Sequence, residues 1–213
     1  MLIWELPVRV FHWALVALVA TSWITGELGG VALQYHFWSG YAVLTLLLFR
    51  LVWGVLGSEH ARFTSFVRGP RAVFATVRSL ATRAPLNAVG HNPVGALMVL
   101  ALLAGLLLQT GTGLFANDDL FNEGPLYQHM SKAMSDRLTA IHQFNVGVLL
   151  TLITLHIAAI AYHWWVKGEN LLRPMLAGFH ADIHALPTGN RSAWVALGWW
   201  LLCVAAVAYG INQ

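Results

Sequence analysis

Five histidines stand where ionisable residues are rare. His12, His36, His142, His156 and His163 all lie within or at the ends of long apolar stretches. An imidazole there is costly to keep, and it either hydrogen-bonds a neighbouring helix or does chemistry. The spacing speaks for chemistry. His142 and His156 are 14 positions apart, nearly four helical turns, so both project from almost one face about 21 Å apart along the axis. Two imidazoles separated by most of a bilayer core suit the axial ligation of two stacked haem irons, each completed by a histidine from another helix. His163 follows His156 by seven residues, shares its face and competes for the same role. Pairing it with His142 would set the irons about 31 Å apart, the whole hydrocarbon thickness. His156 is therefore the expected ligand, and His163 an interfacial residue able to bond a haem propionate.

The elements that would position these residues are membrane spans. The chain is 58% hydrophobic and 10% charged, where soluble domains carry roughly 25% charged residues. Residues 93–114, 138–166 and 193–213 contain no Asp, Glu, Lys or Arg. Each reaches the ~20 residues needed to cross the hydrocarbon. Residues 10–26 are near the lower limit, and 36–56 qualify with one interruption, Arg50. Five spans are expected, all helical, because an open sheet cannot satisfy its backbone in lipid. No small-x-small cleavage site follows the first span, so it reads as retained. Cys203 is the sole cysteine, which excludes a disulfide framework, a zinc cluster and covalent C-x-x-C-H haem attachment.

Arginines set the expected orientation. Arg62, Arg68, Arg71, Arg78 and Arg83 follow span two against one acid, Glu59. Lys167, Arg173 and Arg191 follow span four, and Arg9 precedes span one. The loop between spans three and four instead holds Asp118, Asp119, Glu123 and Asp136 against Lys132 and Arg137. The positive-inside bias puts the N-terminus in the cytoplasm and the C-terminus in the periplasm. The basic pI of about 9.4 is thereby a topology signal, with no nucleic-acid partner implied. Running the spans alternately pairs His12 with His156 near the cytoplasm and His36 with His142 near the periplasm.

Other residues fill in the site. Gly40, one turn after His36, and Gly147, between the span-four histidines, give room for a porphyrin or for plain helix packing. Arg50 lies 14 residues past His36 on its face, where it either pairs with haem propionates or snorkels to the inner interface. Arg62 and His91 are weaker candidates for that task. His60, His129, His180 and His184 fall in loops, and the last two lack a third metal ligand. Asn92 and Pro93 read as the start of span three. Residues 70–82 have the pattern of a short amphipathic helix, lying on the anionic leaflet or packed on the bundle ends. Trp4, Trp13, Trp23, Trp38, Trp53, Trp164 and Trp165 sit near span ends as an aromatic belt.

The stretch W-E-L-P-V-R-V-F-H-W (residues 4–13) resembles the first-helix signature of the prokaryotic cytochrome b561 family. So do A-R-F-T-S-F-V (61–67), G-H-N-P-V-G-A (90–96) and the run from His156 through His163 to Glu169, Asn170 and Leu171. The family includes the membrane cytochrome subunit of nickel–iron hydrogenases. The resemblance implies an all-α integral membrane protein: a four-helix haem-binding bundle over residues 1–178, with 179–213 adding a connector and a fifth C-terminal transmembrane helix outside the common core. By position, His12, His36, His142 and His156 match the ligands of two haems b. Members exchange electrons between quinone or quinol in the bacterial inner membrane and a periplasmic c-type cytochrome or redox subunit. Some resemble superoxide:quinone oxidoreductases, which would make the chain an enzyme. The outer loop's formal charge of −2, or −3 with Glu27, repels superoxide and attracts a basic cytochrome, which favours the carrier. A transporter built on the histidine row is disfavoured, since no carboxylate lies inside a span. Oligomeric state stays open.

Overall fold

The computed structural model describes residues 4–59, 61–80, 93–178 and 192–212. Residues His60, His91, Asn92, His180, His184, Arg83 and Arg191 lie outside them, as do parts of the 90–96 motif. Five long helices form: α1 (Leu6–Leu28), α2 (Leu33–Leu56), α5 (Pro93–Gly113), α6 (Lys132–Lys167) and α8 (Ala193–Gly210). Three short ones join them: α3 (Phe63–Phe66), α4 (Pro70–Leu80) and α7 (Leu172–Ala177). All five expected spans are long and apolar enough to cross a membrane, and the protein is an all-α, multi-pass membrane protein.

Local chemistry sets the helix ends. Proline stands in the first turn of α1, where a missing N–H costs nothing. A tight reversal links α1 to α2 through Gly29 and Gly30 at φ 62° and 54°, a region open to glycine without strain. Ser131 caps α6, its hydroxyl accepting from the Met134 N–H. Gly168 ends α6 at φ 70°, with the Glu169 N–H returning to the His163 carbonyl at 3.0 Å. Those two signals let α6 overrun the charge-free stretch at both ends.

The helices pair as hairpins, α1 along α2 and α5 along α6. Helix α2 is the hub, touching α5 and α8 as well, whereas among the described helices α6 packs most extensively on α5. The seam between α6 and the α1–α2 hairpin is thus open to a group of some width. The core runs through Val43, Leu46, Leu47, Phe49 and Trp53 of α2, joined by Val8, Phe11, Leu103, Leu106 and Leu149. Helix α8 lays Ala196, Cys203 and Val207 inward and turns Trp194, Leu201, Leu202 and Tyr209 outward. Helix α4 matches the amphipathic expectation in extent, and its Phe74 and Val77 are exposed.

One expectation is corrected. Trp53 is not part of an interfacial belt but fully buried, donating its indole N–H to Glu5 Oε1. A buried indole needs an acceptor, and the carboxylate supplies it. Trp23, Trp38, Trp164 and Trp165 are exposed near helix ends, as a belt requires.

Candidate functional site

The open seam carries the four histidines in two pairs. At one end His36, in the first turn of α2, faces His142 of α6 with ring centres 6.0 Å apart. Two imidazoles that each set a nitrogen ~2 Å from one shared metal have ring centres about 6 Å apart. Both rings are already oriented. His36 Nδ1 lies 2.8 Å from the Ser22 carbonyl oxygen, and His142 Nδ1 lies 2.9 Å from that of Gln109. A carbonyl only accepts, so Nδ1 carries the proton on each ring and Nε2 keeps its lone pair for a metal.

Small and polar neighbours make that geometry reachable. A Cβ at Gly26 would stand 3.0 Å from His36 Nδ1, and one at Gly113 would stand 2.9 Å from His142 Cε1. An added Cβ would crowd the His36 ring at Gly26 and push the His142 ring aside at Gly113. Asn145, buried one turn beyond His142, donates to the Gly105 carbonyl at 2.9 Å and to Gln109 Oε1 at 2.8 Å. That fastens α5 to α6 around the carbonyl His142 uses. The Ser22 and Ser39 hydroxyls, 2.6 Å apart, tie α1 to α2 beside His36.

The second pair is built differently. His12 of α1 lies within electrostatic reach of His156 of α6. His12 Nδ1 is buried without a hydrogen-bond partner, as are Glu5 Oε2, Arg9 Nε and Arg50 Nη1. All four belong to one end of the α1–α2 hairpin. Arg50 does not snorkel: it is 4% exposed, with Cζ 4.7 Å from the Phe63 ring centre, and it senses the charge of Glu5. Unpartnered buried polar atoms call for a missing group to satisfy them.

The remaining expected residues fall as follows. No atom lies within 4 Å of a Cβ built at Gly40, so space exists there. Gly147 instead lines an open groove of about 400 Å³ with Phe144, Val148, Thr151 and Leu152, turned by helical periodicity away from His142. His163 is buried, and its Nδ1 lies 2.7 Å from Glu169 Oε2, leaving only Nε2 for another partner. Arg62 is exposed. Among the described residues no three His, Cys, Asp or Glu gather as a bare metal site. A metal held by His36 and His142 would need its further donors from the group that carried it, chemistry a porphyrin would supply.

Sequence reasoning missed the carbonyl acceptors, Glu5, Gly26, Gly113 and Asn145. Asn145 had a signal, being one of two amides, with Gln143, just past His142 in a charge-free span. The carbonyls had none.

The loop between α5 and α6 lies at the His36–His142 end. Asp118 accepts from the backbone N–H groups of Leu120, Phe121 and Asn122 at 2.9, 3.0 and 2.9 Å and from the Asn122 amide at 2.5 Å. These bonds, the Asn122 side chain foremost, push its carboxyl down to about 2. The Asn117 N–H donates to Thr139 Oγ1 at 3.0 Å, and the Ser135 hydroxyl donates to the Phe115 carbonyl at 2.6 Å, pinning the loop to α6.

Comparison with known proteins gives this arrangement a context. The family described as Prokaryotic cytochrome b561 matches residues 3–178, which covers α1 to α7 and leaves α8 outside. A relative from Azotobacter chroococcum mcd 1, named "Probable Ni/Fe-hydrogenase B-type cytochrome subunit", is 24% identical over 213 residues, covering 83% of this chain and 87% of its own. One of the same name from Bradyrhizobium diazoefficiens is 22% identical, covering 83% and 84%. From Escherichia coli K12, a "Probable Ni/Fe-hydrogenase 1 B-type cytochrome subunit" is 27% identical over 141 residues, 54% of this chain and 60% of that one. No solved structure matches.

Proposed function

The chain belongs to the prokaryotic cytochrome b561 family, and on that premise we propose that it holds two haems b in bis-histidine sites. In this reading it links quinone in a bacterial inner membrane to a redox partner on the outer side. Its coarser character, a haem b-type membrane cytochrome of electron transfer, follows from the family. The observation that carries the finer reading is the His36–His142 pair, with ring centres 6.0 Å apart and both Nδ1 atoms on carbonyl oxygens.

Haem b, when bound between two imidazoles, supplies a one-electron iron couple with no axial position open to oxygen. The protein's own groups do the rest. Ser22 and Gln109 hold the outer imidazoles in one tautomer, which raises their basicity toward a metal. His12 and His156 would form the inner site, with the unpartnered Arg50 N–H supplying countercharge to a propionate. Apolar side chains of α1, α2 and α6 keep water from both sites. The arginine bias supports the inner site facing the cytoplasm and the C-terminus facing the periplasm. The relatives' names suggest a hydrogenase-like oxidoreductase subunit as one kind of partner. A c-type cytochrome is the other, and the acidic outer loop supports a cationic one over superoxide. Residues 179–213 then form an addition to the di-haem unit of residues 1–178.

Acid–acetone extraction should remove two haems b per chain, low-spin before extraction. His36→Ala should lose only the outer one and His156→Ala only the inner one. A single haem in fully loaded protein, or retention of both in these variants, would sink the pairing. Loss on His163→Ala but not on His156→Ala would move the inner ligand.

A further inference from the structure

The loop between α5 and α6 holds out two apolar side chains: Phe121 is 94% exposed and Leu120 77%. Loop tips are ordinarily small and polar, so a projecting Leu-Phe pair asks for something to cover it. The tip is not slack. Asp118 gathers the N–H groups of Leu120, Phe121 and Asn122 onto one carboxylate, and Asn117 and Ser135 pin the base to α6. Thr139, one of those anchors, precedes His142 by three residues, less than one helical turn. The base of the loop therefore lies within a turn of His142, and the tip projects from the end of the bundle that carries the His36–His142 pair.

Two coverings suit an apolar tip at this level, lipid headgroups or a protein. The surroundings choose between them. Asp118, Asp119, Glu123 and Asp136 collar the pair, while Lys132 is occupied by Asp119 at 2.5 Å and Asp136 at 3.0 Å. Burying an anionic collar in a lipid interface would strip its hydration at a cost, whereas a cationic protein is attracted to it. An aromatic anchor inside a charged rim has the anatomy of a protein docking spot. Its pre-set conformation spares the ordering cost of binding.

We propose that Leu120 and Phe121 are the apolar anchor of a docking site for a cationic electron-exchanging protein of the outer compartment, seated over the His36–His142 pair. The proposal rests on the carrier reading above and names the surface that reading requires.

The test uses the full haem-loaded chain in nanodiscs, with a strongly basic soluble c-type cytochrome as probe. Binding is measured with both proteins oxidised, and electron exchange by stopped flow. Leu120→Ser with Phe121→Ser should weaken binding about tenfold and leave the salt dependence, which the collar sets, unchanged. Phe121→Trp should restore binding. Undiminished binding in the double variant overturns the anchor and leaves the carrier reading standing if wild-type exchange is fast. Weakened binding in a protein whose wild-type complex passes no electrons keeps the anchor and overturns the carrier reading. A polarity-sensitive dye on Phe121→Cys that reports an apolar setting before cytochrome is added assigns the tip to lipid and overturns the proposal. So does wild-type protein that fails to bind the probe.

Discussion

The two histidine pairs solve one problem in opposite ways. At the outer pair every ring has its second nitrogen on a backbone carbonyl, and glycines at 26 and 113 clear the space. At the His12–His156 pair His12 Nδ1 has no partner, and Glu5, Arg9 and Arg50, at the same end of the α1–α2 hairpin, each keep a further buried polar atom unpaired. The rings of His36 and His142 are thus oriented by the polypeptide alone. On the proposed reading, the His12–His156 site would be balanced only once a charged, hydrogen-bonding group is bound. Helix backbone is therefore a sufficient mould for a ligand ring, whereas buried charge needs its counterpart to be supplied.

The sharpest way to break this contrast is to fill the outer clearance. Gly113→Val should drive the His142 ring off the Gln109 carbonyl and abolish loading of the outer site, halving haem per chain. Gly111→Val, where nothing lies within 4 Å of the added Cβ, should leave loading intact. Equal retention in both variants would mean the outer site is not moulded as described.

A smaller effect is expected inside. Arg50→Leu takes away a buried positive charge that interacts with Glu5, at a cost of up to about 3 kcal/mol. Thermal unfolding of the haem-loaded protein should show it, with haem lost first from the inner site. Adding Glu5→Gln should recover part of the loss. A fall in outer loading instead would blur the two sites into one.

The smallest effect concerns the outer loop. Its Asp118 carboxyl is held down to about 2, below the unfolded value near 3.9. A depressed carboxyl contributes stability above the unfolded value and loses it as pH falls toward the folded one. Between pH 8 and 5 the charge of Asp118 is thus constant, and exchange with a basic cytochrome should not vary through Asp118. Stopped flow across that range, with Asp118→Asn as the comparison, checks it: a wild-type pH dependence that the substitution removes would show Asp118 titrating there.

Much of this was legible in residue types. Lipid tolerates so few charges that 93–114, 138–166 and 193–213 announced α5, α6 and α8, and the alternation of the spans set His36 against His142. Trp53 was misread because its acceptor, Glu5, lies 48 residues earlier, a contact no local pattern reports. Gly26 and Gly113 look in sequence like any packing glycine; only the imidazole beside each shows what they make room for. The carbonyls of Ser22 and Gln109 could not be read at all, since every residue offers one and the fold decides which is used.

Helix α6 has a further consequence. Its 36 residues run about 54 Å, against a hydrocarbon layer of ~30 Å. His142 and His156 ride on that one unbroken rod, so their axial separation is a matter of helical pitch. A thinner or thicker bilayer changes how far the rod's ends protrude, from the Ser131 cap at one and the Gly168 stop at the other. It does not stretch the interval between the histidines. The protein carries its own gauge, and the distance between its two sites should hold across membranes of different lipid.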